Sequence, residues 1–67
     1  MTRFIEYTDK LGVRALVNLQ AIDEVVDMRK SIRIIMREET FILSIGYETF
    51  KAWLRDTKPI LEAGQAL

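Results

Sequence analysis

Large apolar side chains occupy every second position over residues 31–37 and again over residues 40–45. A repeat of two is typical of a β-strand that buries one face. A two-residue turn at Glu38-Glu39 would pair Ile34 with Leu43 and would bring the other large apolar residues together on the same face. A shift of one residue would separate them, so the pattern predicts an antiparallel hairpin whose register is strongly specified.

Charge predicts the register of the preceding hairpin. Residues 25–28 favour a strand, and pairing Asp27 with Arg33 and Asp23 with Arg37 would place opposite charges side by side. The same register leaves an apolar row on the outer face of the sheet, formed by Val25, Ile35 and Ile42.

A contiguous apolar row on an outer face indicates an interaction surface, whereas single exposed apolar residues do not. We therefore predict an interface that contains Val25, Ile35 and Ile42. Trp53 joins this prediction because tryptophan is favoured at interfaces. The alternative is that the C-terminal tail covers the row, with Ile60 and Leu61 folded across it.

The remaining segments predict an N-terminal hairpin and a C-terminal helix. Residues 4–8 and 13–17 are strand-like and flank a polar turn that ends in Gly12. After Gly46 the apolar residues recur at helical spacing, and Pro59 limits the helix. We expect one α+β domain over 1–67, a small antiparallel β-meander of four to five strands with one C-terminal helix. Its expected parts are the meander over 3–45, the helix over 46–57 and a short tail over 58–67.

Three segments carry a resemblance to a known family. Residues 4–9, with the sequence FIEYTD, precede ALVNLQAIDEV at residues 15–25 and YETF at residues 47–50. Together they resemble the FlbD-like family of small bacterial flagellar and phage proteins, over about residues 3–54. The resemblance implies a small accessory or interaction protein and implies no catalytic activity.

The composition indicates that this chain needs a partner subunit. A chain of 67 residues removes only about 60% of its unfolded surface from water, so small domains usually add disulfides, a metal or oligomerisation. The sequence has no cysteine and no histidine, which excludes disulfides and the usual zinc sites. We expect no cofactor, and we expect a homo-oligomer.

Several function classes are disfavoured by the same composition. Without histidine or cysteine the common nucleophile–base pairs cannot form, so we do not expect an enzyme. Ten basic and ten acidic residues give zero net charge, which argues against nucleic acid as a partner. The sequence has no long apolar run for a membrane span or a signal peptide, so we expect a cytoplasmic protein. The resemblance to the FlbD-like family implies a bacterial or phage origin.

A basic cluster in the centre of the chain has two interpretations. Arg29, Arg33 and Arg37 lie within nine positions, and they can pair with Asp23 and Asp27 on the neighbouring strand. They can instead grip a phosphate group, because arginine forks bind such anions in a bidentate manner. The candidate ligand-binding residues are Arg29, Arg33, Arg37 and Tyr7, the last by stacking on a base.

These observations predict a non-enzymatic, homo-oligomeric interaction or accessory protein. The alternative is a protein that binds or sequesters a small phosphate- or nucleotide-containing ligand at sites between subunits. The expected partners are a second copy of the chain and, beyond that, another protein or a phosphorylated small molecule.

Overall fold

The computed structural model describes residues 2–66, and within that range the chain forms six β-strands and one α-helix. The predicted α+β class and the mostly antiparallel pairing are confirmed, although the strands outnumber the four to five that the sequence predicts. The elements are β1 (Phe4–Thr8), β2 (Arg14–Asn18), a 3₁₀ turn (Leu19–Ala21), β3 (Ile22–Asp27), β4 (Ile32–Met36), β5 (Thr40–Leu43), α1 (Tyr47–Trp53) and β6 (Ile60–Gln65).

The strands form two small sheets that meet at one bridge. Sheet A has the order β2-β1-β6, with β1 antiparallel to β2 and parallel to β6. Sheet B has the order β3-β4-β5 and is antiparallel throughout. A single antiparallel bridge joins Leu43 of β5 to Ala66, just beyond β6.

The apolar core is shared by both sheets and the helix. Its fully buried side chains are Ile5 from sheet A and Ile32, Ile34 and Leu43 from sheet B. Phe50 of α1 packs against the same cluster. Strands with one inward face therefore explain the alternation seen over β4 and β5.

The register predicted from charge for β3 and β4 is wrong by one residue. Val25 lies opposite Ile34, and Val26 lies opposite Arg33. Asp27 therefore does not pair with Arg33, because its partner in the ladder is Ile32. An exposed charge pair contributes only about 0.2–1 kcal/mol, whereas burying a large apolar side chain contributes about 1.5–3 kcal/mol. The observed register packs Ile22 opposite Met36 and Val25 opposite Ile34 on the core face, with a bulge after Ile22. The predicted register would instead place the charged Glu24 opposite Met36, so the observed one gains the greater of these two stabilisations.

The second hairpin also differs from the prediction, by two residues. Ile34 lies opposite Phe41 instead of Leu43, and Leu43 lies opposite Ile32. The Met36 N–H donates to the Glu39 carbonyl oxygen at 2.9 Å, so the turn comes one position earlier than expected. Because side chains alternate with a period of two, an even shift keeps the same residues on the core face.

The C-terminal part of the chain departs most from the prediction. The helix covers Tyr47–Trp53 rather than 46–57, and the expected tail over 58–67 contains strand β6. The helix is therefore not the last element of the described chain. Pairing with β1 begins where the Phe4 N–H donates to the Pro59 carbonyl oxygen at 2.8 Å. The ladder then shifts register near Gly64, whose φ of +73° explains why glycine is present there.

Candidate functional site

The outer face of sheet A carries the most exposed apolar side chains of any strand face in residues 2–66. Ile5 of β1 points into the core, so its neighbours Phe4 and Glu6 point outward. Ile60 of β6 lies beside Phe4, and Leu16 of β2 lies beside Glu6. Leu16 is 52% exposed and Ile60 is 45% exposed. We call Phe4, Leu16 and Ile60 the sheet A patch.

Charged residues surround the sheet A patch in an uneven way. Glu6 and Glu62 are direct neighbours across β1 and β6, and like charges in such positions destabilise a sheet. Arg14 lies on the same face, two residues from Leu16 and opposite Thr8. The face therefore has an acidic centre and a basic residue near one end.

The predicted interface residues do not form one row. Ile35 and Ile42 share the outer face of sheet B, where both are half-buried. Val25 faces the core, because it lies opposite the buried Ile34, and Val26 takes its place on the outer face. The alternative of coverage by Ile60 and Leu61 is also wrong, since both belong to β6 of sheet A. Leu61 points into the core, and Ile60 belongs to the sheet A patch.

Trp53, the fourth predicted interface residue, lies at the end of α1. It is half-buried and packs against the core. Its ring lies 6.0 Å from that of Phe50, at an angle of 52° between the ring planes. A role for Trp53 in an interface stays a prediction.

An open groove of about 410 Å³ lies between β5 and the turn that joins β1 to β2. The β5 side supplies residues 40–42, and Arg33 of β4 reaches the same groove. The turn supplies Lys10 and Leu11, and Leu11 is 88% exposed. The groove therefore combines a strand edge, two basic side chains and an exposed leucine.

Tyr7 forms part of the inner wall of this groove and is held by stacking. Its ring lies 4.8 Å from that of Phe41, with only 12° between the ring planes. Partial burial raises the pKa of the Tyr7 hydroxyl above its ordinary value, and the carboxylates of Glu39 and Asp9 raise it further. Tyr7 is therefore a neutral hydrogen-bonding group at physiological pH.

The predicted ligand-binding residues are only partly brought together. Tyr7 and Arg33 both line the groove. Arg29 lies in the turn between β3 and β4, with a positive φ of 79° and its N–H bonded to the Asp27 carboxylate. Arg37 lies in the following turn, beside a different depression. One chain therefore places one of the three arginines in the same groove as Tyr7.

Lys10 and Leu11 were not among the residues singled out from the sequence. The signal that could have found Leu11 is a large apolar residue inside a turn whose neighbours are polar. Asp9 organises this turn, because its carboxylate accepts hydrogen bonds from the N–H groups of Leu11 and Val13, each at 2.9 Å. The hydrogen bonds of this turn therefore keep the Leu11 side chain exposed to solvent.

The described residues contain neither an acidic cluster arranged to hold a metal ion nor a helix suited to a bilayer. Across residues 2–66 no three acidic side chains are grouped as metal ligands. In the same range no helix has the length and apolar character needed to cross a membrane. The features that remain for function are the sheet A patch and the groove beside β5.

Comparison of the chain with protein-family models, with curated proteins and with solved structures finds no match. The resemblance to the FlbD-like family therefore stays a prediction, and function has to be inferred from the two surfaces themselves.

Proposed function

We propose that this protein is a non-enzymatic interaction module that self-associates through the sheet A patch. The observation that carries the proposal is the exposure of Leu16 and Ile60 on one sheet face, where Ile60 is the direct neighbour of Phe4 and Leu16 lies diagonally across from Phe4. Apolar residues scattered singly over a surface are ordinary, but neighbours on one face point to an interaction site.

Covering the sheet A patch contributes several kcal/mol to the stability of a dimer. Full burial of a leucine or isoleucine side chain contributes about 1.5–3 kcal/mol, so covering a half-exposed one contributes about 1 kcal/mol. In a two-fold symmetric dimer each residue is buried twice. Leu16 and Ile60 together then contribute about 4 kcal/mol to the dimer, before Phe4 is included.

Charge supports a second copy of the chain as the occupant. The adjacent carboxylates of Glu6 and Glu62 are unfavourable in a lone molecule, and Arg14 lies on the same face. A two-fold axis parallel to β1 would place β2 of one copy over β6 of the other, and so would bring Arg14 of one copy towards Glu62 of the other. Self-association therefore offsets a repulsion that the isolated chain contains.

We place the interface on sheet A rather than on the outer face of sheet B. Ile35 and Ile42 are each less exposed than Leu16, so covering them releases less apolar surface from water. We also favour self-association over a phosphate site, because only Arg33 of the three candidate arginines shares the groove with Tyr7.

The experiment compares the same substitution at two equally exposed leucines. Leu16 is 52% exposed on the sheet A patch, and Leu54 is 53% exposed after α1, away from it. Leu16→Gln removes about 1 kcal/mol of association free energy per copy, and therefore about 2 kcal/mol per dimer. We expect the dimer dissociation constant to rise about 30-fold. Leu54→Gln should leave it within about twofold. Sedimentation equilibrium measures both constants.

The outcomes separate clearly. A large effect of Leu16→Gln and none of Leu54→Gln supports the proposal. Equal effects of the two substitutions would place the contact elsewhere, and a monomeric unmodified chain would remove the basis of the proposal altogether.

A further inference from the structure

Within residues 2–66, part of the β5 edge faces the groove and has no strand beside it. In antiparallel pairs, residues that exchange hydrogen bonds alternate with residues that do not. The bond from the Met36 N–H to the Glu39 carbonyl oxygen sets this alternation, so Phe41 and Leu43 exchange bonds with β4. The N–H and C=O of Thr40 and the N–H of Ile42 therefore point away from β4.

The space on that side of β5 has the position of a further strand. Ala66, which follows β6, forms a bridge with Leu43 and also lines the groove. Beyond this bridge the groove runs beside residues 40–42, in line with β6. An extended segment lying in it would form hydrogen bonds with Thr40 and Ile42 and would continue sheet B.

The side chains that line the groove determine which charged and apolar residues such a segment should carry. Arg33 and Lys10 supply two positive charges, and in residues 2–66 neither has a carboxylate within 4 Å. Asp9 also lines the groove, but its carboxylate is engaged by the backbone of its own turn. The Glu39 carboxylate acts on Tyr7 from outside the residues that line the groove. Leu11, almost fully exposed, offers an apolar contact at the opposite wall.

We propose that this groove binds an extended acidic peptide segment of a partner protein, which adds to β5 as a short antiparallel strand. Its acidic side chains pair with Arg33 and Lys10, and an apolar side chain contacts Leu11. Backbone bonds supply affinity in such complexes, and the alternating side chains supply specificity.

The backbone chemistry favours a peptide over a small anion. A fully ionised phosphate group accepts hydrogen bonds from Arg33 and from N–H groups, but it offers no donor to the Thr40 carbonyl. A peptide backbone offers donors and acceptors in the alternation that a strand edge requires.

The experiment uses the full chain labelled with ¹⁵N and titrated with short blocked peptides. The probe alternates glutamate with valine, and the matched control peptide replaces each glutamate with lysine. A third peptide carries N-methyl groups on alternate amides, which removes the donors that pair with β5. We expect saturable shifts of the Thr40 and Ile42 amides with the acidic peptide alone.

Two arginine variants test the role of charge. Arg33→Glu should weaken binding of the acidic peptide about tenfold or more, because an ion pair is replaced by a repulsion. Arg37→Glu introduces the same charge change outside the groove and should leave affinity within about twofold. Neither substitution touches the sheet A patch, so the oligomeric state should stay unchanged.

Three results would overturn the proposal. They are an absence of saturable shifts at millimolar peptide, equal binding of the acidic and lysine peptides, and shifts centred outside residues 40–42. Tighter binding of adenosine monophosphate than of the peptide at these amides would assign the groove to a small anion instead.

Discussion

Substitution of Arg3 tests how the short helix α1 is held against the sheets. Its guanidinium donates hydrogen bonds to the carbonyl oxygens of Trp53 at 2.8 Å and of Leu54 at 3.3 Å, and to that of Asp56. The helix has seven residues, fewer than the roughly 12–15 that an isolated helix needs. Gly46 provides no side-chain cap at the other end. The helix therefore depends on tertiary contacts, and Arg3 supplies one at its C-terminal carbonyls.

Arg3→Met removes these hydrogen bonds while keeping most of the apolar stem. A hydrogen bond to a charged group contributes about 1.5–3 kcal/mol, but water can reach part of this site, so we expect a total loss of about 2 kcal/mol. For a chain of this size that loss lowers Tm by about 10 °C. Arg3→Lys keeps the charge without the planar fork and should retain about half of the stabilisation.

Urea denaturation at one protein concentration measures these differences, since association changes apparent stability. Arg55→Met is the matched control, an exposed arginine just after the same helix, and should shift stability by less than about 0.5 kcal/mol. An Arg3→Met variant as stable as the unmodified chain would refute the reasoning. Equal stability of Arg3→Lys and the unmodified chain would show that only the charge matters.

Further predictions follow from individual side chains. Ile34→Ala should destabilise the chain by about 2–5 kcal/mol and Ile34→Val by about 1 kcal/mol, measured by urea denaturation, because this side chain is fully buried. Gly12→Ala should cost about 1 kcal/mol in the same assay, because Gly12 has a φ of +82°. The raised pKa of Tyr7 means that the neutral phenol contributes stability that is fully present below about pH 10 and is lost as pH rises through the folded-state pKa. Tyr7→Phe should therefore flatten the fall in stability above about pH 10, measured by denaturation across that range.

The strands of sheet B were predictable because two of them alternate cleanly between apolar and other residues. Ile32, Ile34 and Leu43 were all expected on one face, and all three are fully buried. The register of β3 was not predictable from Asp23 and Asp27, because exposed charge pairs are too weak to decide it. The position of Val25 is set instead by the core that it joins.

Strand β6 was missed for a different physical reason. Its inward residues include Leu61 and the small Ala63, so the alternation contains only one large apolar side chain. Pro59 limited the predicted helix, and residues 58–67 were expected to form only a short tail. In the folded chain Pro59 supplies a carbonyl to β1, and Gly64 accommodates a shift in the ladder. Pairing with a strand more than fifty residues away leaves no local signal.

The groove could be anticipated only in part. Tyr7 and Arg33 were candidates on chemical grounds, and the fold brings them to one place. The contribution of Leu11 depends on how the first hairpin lies against β5, which no local pattern encodes. The open part of the β5 edge likewise follows from the arrangement of two sheets rather than from residues 40–42 themselves.

Self-association of the unmodified chain is the claim on which the proposed function depends, and light scattering over a dilution series tests it most directly. Between about 100 µM and about 1 µM, we expect the mass to fall from a multiple of 7.8 kDa towards 7.8 kDa itself. A mass of 7.8 kDa at every concentration, with a folded chain, would contradict the claim.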